Sequence, residues 1–331
     1  MSDALLTPDA PDPRDSRNSS GRVVTVTPNP ALDTSYFLER IEHGASHRVA
    51  PPLARAGGKG LNVSRVAHQQ GRSTLAIAPV GGATGEVFAE ELEASGVPHR
   101  LVPVEAETRR SMAFVEETLG DTTIFNESGH ALAAADWQRL AAAVVDSLQD
   151  AAVLVGSGSL PPGAPGDFYP ALVTLAHQHG VPAIIDTSGP GILAAARAGA
   201  DVLKPNHHEL LEAFDGDDLP TAARRLLELG ARTVVVSSGS EGMRLFSTDH
   251  PRHSWRARLA EPLRGNPTGA GDAAVSALAT ALAEGLDDPE DLLRRATSWS
   301  AAAVLMPGAG EISSRHTELE QHLIITLEEL A

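Results

Sequence analysis

The sequence predicts an α/β protein: a parallel or mostly parallel sheet covered by helices on both faces, three layers in all, with a small β-sheet lid. Three observations predict it. Short apolar, β-branched runs alternate with longer stretches rich in Ala, Leu, Glu and Arg over most of the chain, the pattern of strand–helix–strand units. Two stretches, 33–56 and 97–128, break that alternation with extended, turn-punctuated patterns. Hydrophobic residues make up 42 % of the 331 residues, enough for a sizeable core, and the length suits one large domain or two modest ones.

Each element follows from its local pattern. Residues 1–21 are rich in Pro, Asp, Arg and Ser, lack a charged-then-apolar signal layout, and read as a disordered leader. The domain then runs over 22–331. Short apolar runs bounded by turn residues place strands at 23–27, 73–79, 152–156, 182–186, 201–204 and 233–237, with 242–247 as a hairpin partner of the last. Longer stretches of good helix formers place helices over 60–70, 85–95, 133–148, 167–178, 190–198, 209–214, 219–229, 271–284, 289–306 and 317–330. Strands drawn from about 33–56 and 97–128 form the small sheet. A lid of that kind closes over the strand ends, where open α/β sheets bind ligands.

Charge and composition narrow the function. Lys plus Arg is 26 against 43 for Asp plus Glu, a net charge of −17. Such a surface repels nucleic acid and anionic membrane, so neither is expected as a partner. An anionic ligand must be held by a local cluster of donors. There is no cysteine, which removes disulfides, thiolate catalysis and zinc–sulfur sites and fits a cytoplasmic protein. No run of about 18 apolar residues is present. Lysine occurs at Lys59 and Lys204, and every other cationic side chain is arginine. A compact ammonium suits those two places better than a planar guanidinium.

Three glycine- or proline-framed segments carry chemistry. Thr268-Gly269-Ala270-Gly271-Asp272 precedes an Ala-rich helix, whose free N–H groups form an anion site strengthened by the macrodipole. A carboxylate beside an anion site suits phosphoryl transfer to an alcohol, with Asp272 taking the hydroxyl proton. The same Asp also reads as an ordinary N-cap. In Gly57-Gly58-Lys59-Gly60-Leu61-Asn62 three glycines open a helix with Asn62 in its first turn; the spacing is neither a Walker A loop nor a dinucleotide fingerprint. Directly after Lys204-Pro205, Asn206 and Glu209 share one helical face. They read either as oxygen ligands for hydrated Mg²⁺ or as a capping box. His207 and His208 suggest a metal, but no HExxH accompanies them.

Taken together, TPNPALD (27–33), AGGKGLNV (56–63), TRR (108–110), GSGSLPPG (156–163), IIDTSG (184–189), LKPNHHEL (203–210), SSGSEG (237–242) and TGAGD (268–272) resemble, in that order, the PfkB/ribokinase-like carbohydrate kinases. The similarity is to the phosphohexose branch: 1-phosphofructokinase, the minor 6-phosphofructokinase and tagatose-6-phosphate kinase. It covers about residues 22–330. It implies a ribokinase-like three-layer α/β/α sandwich with a small β-sheet lid, and ATP- and Mg²⁺-dependent phosphorylation of a hexose phosphate, D-fructose 1-phosphate first. Tagatose 6-phosphate or fructose 6-phosphate is the alternative; an unphosphorylated sugar or nucleoside, or a catalytically silent sugar-phosphate sensor, ranks below. The resemblance implies Asp272 as base, with the backbone of Gly269, Ala270, Gly271 and Asp272 as anion hole. Asp33, Asn62, Gly57 and Gly58 would hold sugar hydroxyls. Lys204, Ser237, Gly239, Gly242 and Thr268 would line the nucleotide site, and Glu209 with Asn206 would organise Mg²⁺.

For the acceptor's own phosphate, Arg109 is the first choice, because a guanidinium grips phosphate bidentately. Lys59 and Ser159 follow, then Arg48. Arg110 is expected on the opposite lid face, since adjacent strand residues alternate sides. The chain departs from the family pattern at Asn266-Pro267, at Ser238 and Ala277, and at Ser46, where the minor 6-phosphofructokinase carries a phosphate-binding Lys. The last departure favours fructose 1-phosphate. The resemblance leaves open a homodimer paired through the lid, and a monovalent-cation site near residues 301–310.

Overall fold

The computed structural model describes residues 21–330 apart from 117, 119 and 120. The predicted leader, except Gly21, lies outside the described residues. The chain runs β1 (Arg22–Val26), β2 (Ala31–Leu38), β3 (Leu53–Gly57), α1 (Lys59–Gln69), β4 (Thr74–Val80), α2 (Gly82–Ser95), β5 (His99–Pro103), β6 (Arg109–Glu116), β7 (Asp121–Asn126) and α3 (Ala134–Ser147). It continues with β8 (Ala151–Ser157), α4 (Phe168–Gln178), β9 (Ala183–Asp186), α5 (Pro190–Arg197), β10 (Val202–Leu203), α6 (His207–Ala213), α7 (Leu219–Leu229) and β11 (Thr233–Ser237). Last come β12 (Met243–Ser247), β13 (His253–Leu259), α8 (Ala270–Ala283), α9 (Pro289–Val304), α10 (His316–Gln321) and β14 (Leu323–Glu329).

Among the described residues the main sheet has ten strands in the order β14-β13-β12-β11-β10-β9-β8-β1-β4-β5. The run from β11 to β5 is parallel, and β12, β13 and β14 add antiparallel edges. Successive residues of one strand feed opposite cores. Leu154 packs with Leu140, Leu172, Ile192, Leu210 and Leu226 from α3–α7. Val153 and Val155 pack with Val63, Val275, Leu278 and Leu293 from α1, α8 and α9. Strands buried on both faces read as continuous apolar runs, which is why these were legible. The order places β1 between β4 and β8. The chain winds outward one way from β1 to β5 and the other way from β8 to β11, so the β1/β8 boundary is a topological switch point.

The small sheet has the order β3-β2-β6-β7. Leu32, Ala56 and Leu61 pack with Phe88 and Leu92 of α2 beneath it. Residues 99–103, expected within it, pair instead with β4 at the main-sheet edge, Ile77 opposite Arg100. The C-terminal expectation also fails in part. The predicted helix over 317–330 stops at Gln321, and 323–329 is a strand with Leu327 opposite Trp255. Ile324-Ile325-Thr326 is a β-branched run that loses rotamer freedom in a helix and packs well on a pleated surface. Its partner β13 was not expected from sequence. Among the described residues, no helix is long and apolar enough to cross a membrane.

Candidate active site

A cleft of about 1190 Å³ opens at the carboxyl ends of the parallel strands, between main body and small sheet. Thr27 and Asn29 enter it after β1, Gly158 and Ser159 after β8, Asp186 at the end of β9, Lys204 after β10, and Ser237 at the end of β11. The mouth of α8 faces it from the other side.

Gly269 is the N-cap of α8 with φ +83°, a left-handed conformation that glycine adopts without strain. A Cβ there would come within 2.7 Å of Ala309. The Ala270 amide donates to Pro267 O at 3.1 Å. The amides of Gly269, Gly271 and Asp272 have no acceptor among the described residues and line the cleft, as the orphan donors of a helix start do. Asp272 is therefore three residues inside the cap. Its Oδ2 accepts from Asn62 Nδ2 at 2.8 Å, so the N-cap alternative is not the one formed. Asn62 reaches it from the first turn of α1. Burial pushes the Asp272 carboxyl up to about 7, opposed by the Lys59 ammonium and the Asn62 hydrogen bond and reinforced by the Asp186 charge. The unusual Asn266-Pro267 approach is built in: Asn266 Oδ1 accepts from the Thr268 amide at 3.0 Å and its Nδ2 donates to Pro307 O at 2.9 Å.

Lys59 stands amid the acidic groups rather than beside Arg109. Its Nζ is 3.4 Å from Asp186 Oδ2 and 3.9 Å from Glu209 Oε1. The Asp186 charge first, then Asp272 and Glu209, outweigh burial and hold its pKa well above the ordinary lysine value. Lys204 is buried, donates to Ser237 Oγ at 3.2 Å, and has its pKa lowered by burial. Asp186, to which sequence reasoning gave no role, is the buried carboxylate between the two lysines and accepts from Ser157 Oγ at 2.8 Å. Burial opposes its ionisation, but Lys59 and Lys204 win and its pKa falls below the usual range. Its one sequence signal is its place at the end of the strand in IIDTSG. Asn206 and Glu209 form the capping box: Asn206 Oδ1 accepts from the Glu209 amide at 2.9 Å and Glu209 Oε2 from the Asn206 amide at 2.8 Å. This leaves Glu209 Oε1 toward Lys59.

On the small-sheet side, Asp33 lines the cleft. Burial pushes its pKa up to about 6 against the pull of Arg109, Arg55 and Arg65. Arg109 Nε donates to Asn29 O at 3.1 Å and its Nη1 to Glu127 O at 3.0 Å, leaving the Nη2 donors. Asn29, also missed from sequence, donates to Ser128 O at 3.1 Å and to Ser159 Oγ at 3.3 Å, joining the small sheet's flank to the β8 loop. Gly58, Ser159, Ser237, Gly239, Gly242 and Thr268 all line the cleft. Gly57 does not: the space a side chain would need there is filled by the Asp33 carboxylate. Arg48 and Arg110 are exposed and outside the cleft lining. Met243, Leu259, Leu263, Ala301 and Val304 form an apolar end of the cleft, with a buried, unpartnered Thr297 hydroxyl.

Bare helix-mouth amides beside a buried carboxylate, at the switch point of an α/β sheet, define a phosphotransferase that acts on an alcohol. Comparison with known proteins gives the family. The chain belongs to the pfkB family of carbohydrate kinases, whose profile matches residues 28–316. It is similar to "ATP-dependent 6-phosphofructokinase isozyme 2" of Mycobacterium tuberculosis, 34 % identical over 294 residues that cover 87 % of this chain and 85 % of that protein. It is equally similar to "1-phosphofructokinase" of Xanthomonas campestris, 34 % over 289 residues, 84 % and 90 % of the two chains. Among solved structures it resembles phosphofructokinase-2 from Escherichia coli in complex with potassium, with a TM-score of 0.84 and 30 % identity, covering 91 % of this chain and 98 % of that one.

Proposed function

We propose that this kinase phosphorylates a hexose phosphate, D-fructose 1-phosphate, to fructose 1,6-bisphosphate with ATP and Mg²⁺. The observation that carries the reading is Asp272, held by Asn62 against the free amides at the mouth of α8. Asp33 accepts from sugar hydroxyls. The Nη2 donors of Arg109, with the Ser159 hydroxyl, hold the acceptor's own phosphate. A neutral sugar would leave those Nη2 donors without an anionic partner.

The acceptor hydroxyl gives its proton to Asp272 as its oxygen bonds to the γ-phosphorus of ATP, and the bond from that phosphorus to the bridging oxygen breaks, releasing ADP. The amides of Gly269, Gly271 and Asp272 stabilise the charge on the phosphoryl group. Lys59, within reach of Asp186 and Glu209, lies at this transfer point, so its role moves from the acceptor's phosphate to the transferring one. Lys204 and Ser237 hold the nucleotide's phosphates, Gly239 and Gly242 shape the loop beside them, and the apolar end of the cleft takes the base. The donors present fit Mg²⁺: oxygen ligands from Glu209, fixed by Asn206, with Asp186 near, and no cluster of three or more such ligands among the described residues to form a full protein cage. Mg²⁺, when bound, neutralises charge on the β- and γ-phosphates.

The preference for fructose 1-phosphate over fructose 6-phosphate rests on the sequence resemblance, in which Ser46 stands where a lysine is expected, and not on a contact within the cleft. Ser46 is exposed and outside the cleft lining. Two copies pair through the small sheet: Phe37, Leu53 and Ile124 continue, beyond the cleft, the sheet face that carries Asp33, and all three are exposed. An ADP-release screen across fructose 1-phosphate, fructose 6-phosphate, tagatose 6-phosphate, fructose and ribose tests the substrate. Fructose 1-phosphate should have the highest kcat/KM, and a preference for fructose or ribose would overturn the phosphorylated-acceptor reading.

A further inference from the structure

The turn at 305–312 is fastened from three sides. Asn266, just ahead of the anion-hole glycines, holds Pro307 O. Gln69, at the end of α1, exchanges two 2.9 Å hydrogen bonds with the backbone of Ile312. The third fastening comes from the small sheet. Arg55 of β3 donates from Nη1 to Ala309 O at 3.0 Å, and its Nη2 lies 2.8 Å from Glu311 Oε1. Among the described residues, this is the side-chain hydrogen bonding that ties the small sheet to the segments carrying the anion hole.

Both ends of the contact lead into the site. Ala309 packs on Gly269, the cap of α8. Gly310 packs so closely on Asn62, which holds Asp272, that a Cβ there would be 3.1 Å from Asn62 Oδ1. At the other end, Arg55 is the ladder partner of Asp33 and so shares its face of the sheet.

We infer that Arg55 is a positioning residue that keeps the acceptor-binding sheet in register with the anion hole by gripping Ala309 and Glu311. The inference rests on the kinase reading above. An alcohol held at Asp33 and a phosphoryl group held at the α8 amides react only when the two halves align, and a small misalignment costs rate rather than affinity. A planar guanidinium fixes both distance and orientation through its fork, which a lysine ammonium cannot do. The pair is partly exposed, 31 % and 40 %, so its worth to folding is small.

Steady-state kinetics on the full chain with fructose 1-phosphate and MgATP test this. Arg55→Ala should lower kcat about 10–100-fold while both KM values stay within about threefold of wild type. Arg55→Lys keeps the positive charge opposite Asp33 but lacks the fork, and should lose kcat to a similar degree. Wild-type kcat in Arg55→Lys, or a rise in the sugar-phosphate KM in place of the kcat loss, overturns the inference. If the wild-type chain turns over no sugar in the screen, the kinase reading fails separately. Amide hydrogen exchange over 305–312 then decides: faster exchange in Arg55→Ala supports the clamp, and unchanged exchange removes it.

Discussion

Burial pushes Asp272 up to about 7 while Lys59 and Asn62 hold it down, so its charge changes close to neutral pH. In the proposed mechanism the ionised form accepts the proton. Activity should therefore be high above pH 7 and fall as pH drops through it, with Asp33, raised to about 6, adding a second acid limb in kcat/KM for the sugar phosphate. A pH–rate profile flat between pH 5.5 and pH 8 would contradict both assignments. Arg109→Ala should raise the KM for the sugar phosphate at least 10-fold, as loss of a charge-assisted bond does, and leave the KM for ATP nearly unchanged; initial-rate kinetics in both substrates separate the two. That Lys59, Asp272 and Lys204 line the cleft was legible from their glycine or proline frames, whereas the neighbours of Lys59, namely Asp186 and Glu209, were not. Asp186 and Asn29 were not, because each is defined by partners remote in sequence: Lys59 for one, Ser128 and Ser159 for the other.

The helix mouth works only if its cap takes a left-handed turn. Gly269 has φ +83° and Ala309 leaves no room for a Cβ. Gly269→Ala should shift the α8 start, cost about 1–3 kcal/mol of stability, and reduce kcat by more than it changes either KM; thermal unfolding and kinetics measure the two effects. Elements buried on both faces, such as β1 and β8, were plain in the sequence, since their apolar runs have one simple explanation. The tail 323–329 was not. Leu323-Ile324-Ile325 in a stretch also rich in Leu and Glu supports helix or strand, and the free edge of β13 decides between them. For β5 the surrounding turns matched those of the small sheet, and only pairing with β4 assigns it.

At the scale of the molecule, the switch point between β1 and β8 gathers groups from segments far apart in the chain, and the small sheet closes one side of the cleft they form. That sheet also exposes Leu53 at 67 % and Phe37 at 46 %. Light scattering coupled to size exclusion should find a dimer that Leu53→Asp converts to monomer; a wild-type monomer at micromolar concentration would remove the pairing. The order of motifs along the chain was legible, whereas the meeting of Arg55 with the 305–312 turn was not, since 254 residues separate Arg55 from Ala309. The most direct test of the whole account is turnover by Asp272→Asn, measured beside calorimetric binding of ATP and fructose 1-phosphate. The account predicts a fall in kcat of about 10²–10⁴-fold with both ligands still bound, and retained turnover would contradict it.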